Sequence, residues 1–284
     1  MATDTSTTNF GPIGFDLVRR LGRGAAFEVA VVRDVHGREL ICKRPASADT
    51  ADAVEREADL LRTLKGAAFP ELVEAGTDRR GGFLVETRAR GSAVRDLIAD
   101  GRVLVGADRW VDLAQASARA LAGLHALADD EGPFHFVHGD ISPDNLFFEA
   151  PAMVTFVDFS SATWRRAPLP AFAGDRGTVP YAAPELVRQE GHATAESDTY
   201  ALAATLLAVA VAPPLVHATS EAGRLYEAAS EGILWKRIEE RSDIPQSFRS
   251  ALAEALQFEP GRRLSSAREL AARFSSQGPH DAQR

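Results

Sequence analysis

The sequence predicts an α+β fold in two parts, a small antiparallel sheet carrying one helix and then a larger, mainly helical part. Three observations predict it. Apolar and polar residues alternate in short runs from Asp16 to about Glu86, apolar residues recur at three- and four-residue spacing beyond Gly91, and the composition shifts near residues 87–91. With 284 residues, 45% of them hydrophobic and 25% charged, the chain can bury a full core as one large domain or two modest lobes.

The strands come first. FDLVRRL, FEVAVVRD and ELICKRP are separated by glycine-containing turns, and a further strand lies near GFLVE. In GRGAAFEV, Gly22 and Gly24 precede Val29 between two apolar runs, where backbone amides could approach an anion, although a plain hairpin turn would use the same glycines. The stretch Ala51 to Lys65 reads as a helix whose buried stripe is Val54, Ala58, Leu61 and Leu64. Glu57 falls inside that stripe, where a carboxylate needs a cation or a donor to meet it. Lys43 shares a strand face with Glu39 and Ile41 and can point into the same space if the helix packs behind the sheet. A surface Glu and a surface Lys would be the plainer reading of the pair.

The helical part is marked by WVDLAQASARALAGLHAL, by ALAATLLAVAVA at 201–212 and by SFRSALAEALQF. The apolar run at 201–212 stops at Pro213 and is well short of the ~20 residues a membrane span requires, so it predicts a buried helix. The segments 1–14 and 275–284 are polar and predict unstructured tails. Between them lies a domain at 15–274, with a first lobe at about 15–86, a hinge at about 87–91 and a second lobe at about 92–274.

Charge and cysteine use exclude several functions. A net charge of -8 without Lys/Arg clusters argues against nucleic-acid binding. The single cysteine, Cys42, precludes an internal disulfide, and the N-terminus lacks the basic and apolar regions of a secretory signal, so a cytoplasmic protein is expected, with no membrane partner. Seven histidines without ligand spacing give a zinc site no support.

The chemistry concentrates in HGDISPDN at 138–145, with Asp140 and Asn145 five residues apart around Pro143, and in TFVDFSS, where Asp158 ends an apolar strand. Together with Gly22, Gly24, Lys43 and Glu57, the order resembles the eukaryotic-like (Hanks-type) serine/threonine protein kinases: a glycine loop, a strand lysine, a helix glutamate, H-x-D-x-x-x-x-N, D-F-x and then x-P-E. GTVPYAAPE at 177–185, SDTYALAATLL at 197–207 and EPGRRLSSAREL at 259–270 are similar to the family's later segments, so the match runs from about Phe15 to Phe274. The resemblance implies a two-lobed kinase-like fold that transfers the γ-phosphoryl group of ATP, with Mg²⁺, to Ser/Thr hydroxyls of proteins. Asp140 would then take the hydrogen bond of the attacking hydroxyl, Asn145 and Asp158 would hold the metal, and Lys43, held by Glu57, would contact the phosphates. Leu21, Gly22, Gly24, Val29, Thr87, Ala89 and Phe147 would complete the nucleotide site. Glu185 with Arg263, and Asp198 beneath the catalytic loop, would be architectural.

The chain departs from the family at several points. Gly139 replaces the arginine with which the family grips a phosphorylated activation loop, so activation by such phosphorylation is not expected. Ser142 replaces the lysine two residues beyond the catalytic aspartate. H-G-D followed by a non-lysine is also seen in aminoglycoside- and choline-type phosphotransferases. Phe27 and Ser160 stand at glycine positions, Ile41 and Phe147 add bulk about the expected adenine slot, and Glu86 brings an acid beside it, to be either paired with a cation or wet. Two other functions therefore remain open, a pseudokinase scaffold and a small-molecule phosphotransferase. Ser160, Ser161, Thr163 and Thr178 are candidate autophosphorylation sites, Thr178 more plausibly structural. Any regulatory input is expected from a separate partner, a neighbouring surface or the nucleotide itself.

Overall fold

The computed structural model describes residues 10–275 except 65, 67, 101–106, 170–177, 212–214 and 231–234. Backbone contacts group the chain into two compact units that divide between Ala89 and Arg90.

The first unit is a five-stranded antiparallel sheet of β1 (Phe15–Arg23), β2 (Phe27–Asp34), β3 (Glu39–Pro45), β4 (Leu72–Asp78) and β5 (Gly81–Thr87), in the order β1-β2-β3-β5-β4. Strand alternation gives the sheet two different faces. Ala30, Val32, Leu40, Cys42, Phe83 and Val85 form an apolar cluster on one of them. The intervening residues Val29, Ile41, Lys43, Leu84 and Glu86 share the other. Helix α1 (Ala51–Thr63) packs against β3, β4 and β5 and buries Val54, Ala58, Leu61 and Glu57, as the stripe predicted; Leu64, the last residue of that stripe, is buried but extended, just past the helix end. β4 was not foreseen, because most of its side chains lie outside the core and leave no clear alternation.

The polar tail expected at 1–14 needs correction over its described part. Phe10 is fully buried in the apolar cluster, and Arg44 Nε donates to its carbonyl at 2.7 Å. The guanidinium groups of Arg20 and Arg44 stand 4.9 and 5.9 Å from the centre of its ring. One aromatic suffices to seat the segment, because the sheet offers it an apolar face and flanking cations. Residues 1–9, and 276–284 of the second expected tail, lie outside the described residues; Ser275 ends a helix.

In the second unit, β6 (Ser92–Ala93), β9 (Leu146–Glu149) and β10 (Met153–Phe156) form a small antiparallel sheet, and β7 (Ala128–Asp129) pairs with β8 (Gly132–Pro133). The helices are α2 (Val94–Ala99), α3 (Ala107–His125), α4 (Pro184–Val187), α5 (Ala195–Val211), α6 (Glu221–Ser230), α7 (Gln246–Ala255) and α8 (Ala267–Ser275). α5 is buried all round from Ser197 to Ala210, which explains its unbroken apolar run. Its start is fixed by Thr194 and Ser197, each of which donates its backbone amide to the other's hydroxyl, at 2.8 and 3.2 Å. Trp110 of α3 donates to the Leu206 carbonyl of α5 at 3.0 Å and meets Phe248 of α7 edge-on, while Phe248 stacks on Phe274 of α8. Among the described residues no helix is long and apolar enough to cross a membrane.

Candidate active site

In the first unit the sheet register sets the geometry. Gly22 of β1 pairs with Val29 of β2, Val29 with Lys43 of β3, and Lys43 with Leu84 of β5. Cross-strand partners point to the same face, so the glycine turn, Val29 and the lysine lie in one row. Gly24 closes the turn by donating to the Phe27 carbonyl at 2.8 Å, and Leu21 is exposed beside it. Thr87 and Ala89 are half-buried at the end of the unit, with the Thr87 hydroxyl accepting from the Glu71 amide at 2.9 Å.

Lys43 and Glu57 meet as the buried stripe required. Nζ lies 2.6 Å from Glu57 Oε1, and both residues are buried. Glu86 also proves to be paired, with its Oε1 3.0 Å from the same ammonium. The face of Phe27, at the third glycine position of the loop, stands 5.6 Å from that ammonium. Sequence reasoning left the partner of Glu86 open, since only the register that sets Glu86 opposite Ile41 brings it diagonally toward Lys43.

In the second unit the loop 138–145 is held from below by Asp198, whose carboxylate accepts the amides of His138 at 2.7 Å and Gly139 at 2.9 Å and lies 3.0 Å from His125 Nε2. His138 is fully buried against Phe156 and Phe159, and that burial pushes its imidazole below the ordinary histidine range. Gly139 adopts φ +82°, and a Cβ there would stand 2.6 Å from the Ser161 carbonyl oxygen. An arginine does not fit this backbone, which gives the departure from the family a steric reason.

Asp140 Oδ1 accepts two bonds of 2.7 Å from Thr178, one from its amide and one from its hydroxyl. Asn145 Nδ2 donates to the carbonyl and to Oδ2 of Asp140 at 2.9 and 3.0 Å. Burial raises the Asp140 carboxyl above the usual range; the Thr178 bonds oppose the rise, and the negative charge of Asp158 adds to it. The Asn145 carbonyl accepts from the Val157 amide at 3.0 Å, next to Asp158, which takes a left-handed φ of 62° and receives the Ser160 amide at 3.3 Å. Asp140, Asn145 and Asp158 are thus brought together around one point. Phe147 is half-buried on β9, and Ser142 is fully buried, so its hydroxyl is not presented in place of the missing ammonium.

The start of the activation segment is anchored without phosphate. Thr163 exchanges both backbone bonds with Val137 at 2.9 Å, Trp164 stacks on Phe134, and Arg165 bonds Asp129 and Glu131 at 2.6 to 2.8 Å. Ser160, Ser161 and Thr163, read from the sequence as phosphorylation candidates, are buried. Thr178 is structural through Asp140. Glu185 makes a two-pronged pair with Arg263 at 2.7 Å, and the Arg263 guanidinium covers Tyr200 at 4.7 Å.

Comparison with known proteins places the chain in a family. The chain is 23% identical to the serine/threonine-protein kinase AfsK of Streptomyces griseus, over 98% of its own length and 33% of that protein. It is 26% identical to the tyrosine-protein kinase MasK of Myxococcus xanthus, over 92% of its length and 42% of that protein. It therefore spans between a third and a half of these curated relatives. Its fold is similar to a crystal structure of Rad53 1-466 in complex with AMP-PNP, with a TM-score of 0.70 and 19% identity over 91% of this chain and 64% of that one. A family model described as the protein kinase domain matches residues 15–275, and the chain belongs to that family.

Proposed function

We propose that this chain transfers the γ-phosphoryl group of ATP to Ser/Thr hydroxyls of protein substrates. The observation that carries the reading is the Asp140 carboxylate, held at once by Thr178 and Asn145 on a loop braced by Asp198. A buried carboxyl pushed above its ordinary range is a better proton acceptor than a solvated one, and the Thr178 bonds act in the opposite sense, favouring its charged form. Such a group suits a hydroxyl nucleophile. The Streptomyces relative is named a serine/threonine kinase, which supports the choice of acceptor.

The donor site is assigned by chemistry. Lys43 would contact the α- and β-phosphates, with Glu57 fixing its ammonium, and Gly22, Gly24, Leu21, Val29, Thr87, Ala89 and Phe147 would bound the nucleotide. Asn145 and Asp158 offer hard oxygen donors of the type magnesium takes, and the repulsion of Asp158 on Asp140 is of the sign a divalent cation would relieve. When bound, that ion would neutralise charge on the triphosphate. Cys42 is buried on the sheet face opposite Lys43, with its thiol pushed up to about 12, so it is not a reactive sulfur.

The test is transfer from labelled ATP to a generic protein substrate by wild type and Asp140→Asn. Loss of transfer in the variant is expected. Equal labelling by both would remove Asp140 from its role, and transfer to an aminoglycoside but to no protein would overturn the choice of acceptor.

A further inference from the structure

Glu86 is a buried acid for which phosphoryl transfer as described has no use. Its position is set by the sheet alone. β5 pairs directly with β3, Lys43 opposite Leu84 and Ile41 opposite Glu86, so Glu86 is the diagonal neighbour of Lys43 on the same face. Diagonal neighbours stand about 7–8 Å apart between backbones, within reach of two long side chains. The Nζ to Oε1 distance is 3.0 Å, and the two side chains are 6% and 3% exposed. Glu57 approaches the same ammonium from a different element, helix α1, which is joined to β3 through residues 46–50.

We propose that Glu86 is a second positioning carboxylate for Lys43, anchoring the lysine to the sheet itself so that its orientation does not depend on helix α1. An ammonium has three donors; with Glu57 and Glu86 taking one each, the third is left to be shared between the α- and β-phosphate oxygens. Phe27 covers it from the β2 side, so Glu86 and Phe27 hold the ammonium from the sheet while Glu57 holds it from α1. A helix can shift as a body. A hydrogen-bonded strand neighbour cannot leave β3 without breaking the ladder. Loss of Glu57 should therefore leave Lys43 in place, whereas loss of both acids should release it. The catalytic consequence rests on the phosphoryl-transfer reading above; the anchoring itself does not.

The experiment exploits the scarcity of lysine in this chain, which has only Lys43, Lys65 and Lys236. With ¹⁵N-lysine labelling, the Lys43 ammonium should give a ¹H–¹⁵N cross-peak protected from solvent exchange, assigned by its loss in Lys43→Arg. It should persist in Glu57→Gln and in Glu86→Gln and vanish in the double variant. In parallel, each single variant should lose at most about tenfold in kcat/KM for ATP, and the double variant should lose several-fold more than the product of the single losses, as interacting pairs do. Disappearance of the cross-peak in Glu57→Gln alone would overturn the proposal, and needs no folded double variant to be seen. A rise in kcat/KM in Glu86→Gln would also overturn it, by showing that Glu86 draws the lysine away from the nucleotide. If wild type transfers no phosphate, the functional reading falls while the cross-peaks still decide the anchor.

Discussion

Thr178 and Asp140 are joined twice, the amide and the hydroxyl of the threonine each donating to Asp140 Oδ1 at 2.7 Å across 38 residues of sequence. The threonine ties the end of the activation segment to the carboxylate proposed as the proton acceptor. It also opposes the effect of burial on that carboxylate.

The first prediction concerns pH. In the proposed role as proton acceptor Asp140 must be ionised; burial favours the neutral form, and the Thr178 bonds favour the charged one. Thr178→Val removes the hydroxyl donor, so the carboxyl moves further up and the acidic limb of the kcat/KM profile should shift to higher pH. Thr178→Ser, which keeps the donor, should restore the limb. A profile unmoved in Thr178→Val would separate the threonine from the proton acceptor.

The second prediction concerns stability in the sheet. Lys43→Met leaves Glu57 and Glu86 buried together without the ammonium that both contact. Breaking such a group from one side costs about 3–5 kcal/mol. Urea unfolding should show a loss of that size, with most of it recovered in Lys43→Met/Glu57→Gln/Glu86→Gln. A single variant as stable as wild type would mean that the carboxylates are hydrated rather than paired.

These residues also show how far the sequence could be read. Glu57 was legible because a helix has a fixed period, and a carboxylate inside an apolar stripe demands a partner. Asp198, Glu185 and Arg263 followed from motif order, and each makes the contacts expected of it. Glu86 was not legible as a partner, because its contact depends on which residue of β5 stands opposite Ile41, and register is set by pairing over long range. Phe10 was missed for a similar reason. A single aromatic has no period, and only the assembled sheet shows the face that receives it. Short elements such as α4, four residues long, carry too few positions to reveal a pattern.

The third prediction tests the glycine of the catalytic loop. Gly139→Ala places a side chain at φ +82° with its Cβ 2.6 Å from the Ser161 carbonyl oxygen. The left-handed backbone alone costs about 1–2 kcal/mol, and the contact adds to it. The urea midpoint should fall accordingly, and transfer should fall with it because His138 and Gly139 share the Asp198 brace. Gly139→Arg, which restores the residue usual in the family, should be no better. An unchanged midpoint in Gly139→Ala would mean that the loop relaxes freely.

The last prediction concerns activation. A phosphate brings nearly two negative charges and three acceptor oxygens, which a buried hydroxyl site cannot hold without unfolding around it. Ser160, Ser161 and Thr163 are 9%, 6% and 9% exposed, and Thr163 is bound on both backbone sides by Val137. The Arg165 cluster with Asp129 and Glu131 already fixes the segment that other kinases are expected to order with phosphate. Mass spectrometry after incubation with ATP should therefore find no phosphate on these three residues. Thr163→Glu should lower the melting temperature without raising kcat, because the added charge meets the Val137 bridge and no arginine replaces Gly139 to receive it. Stoichiometric phosphate on Thr163 accompanied by a rise in kcat would show that the anchored segment is released and rebuilt during activation.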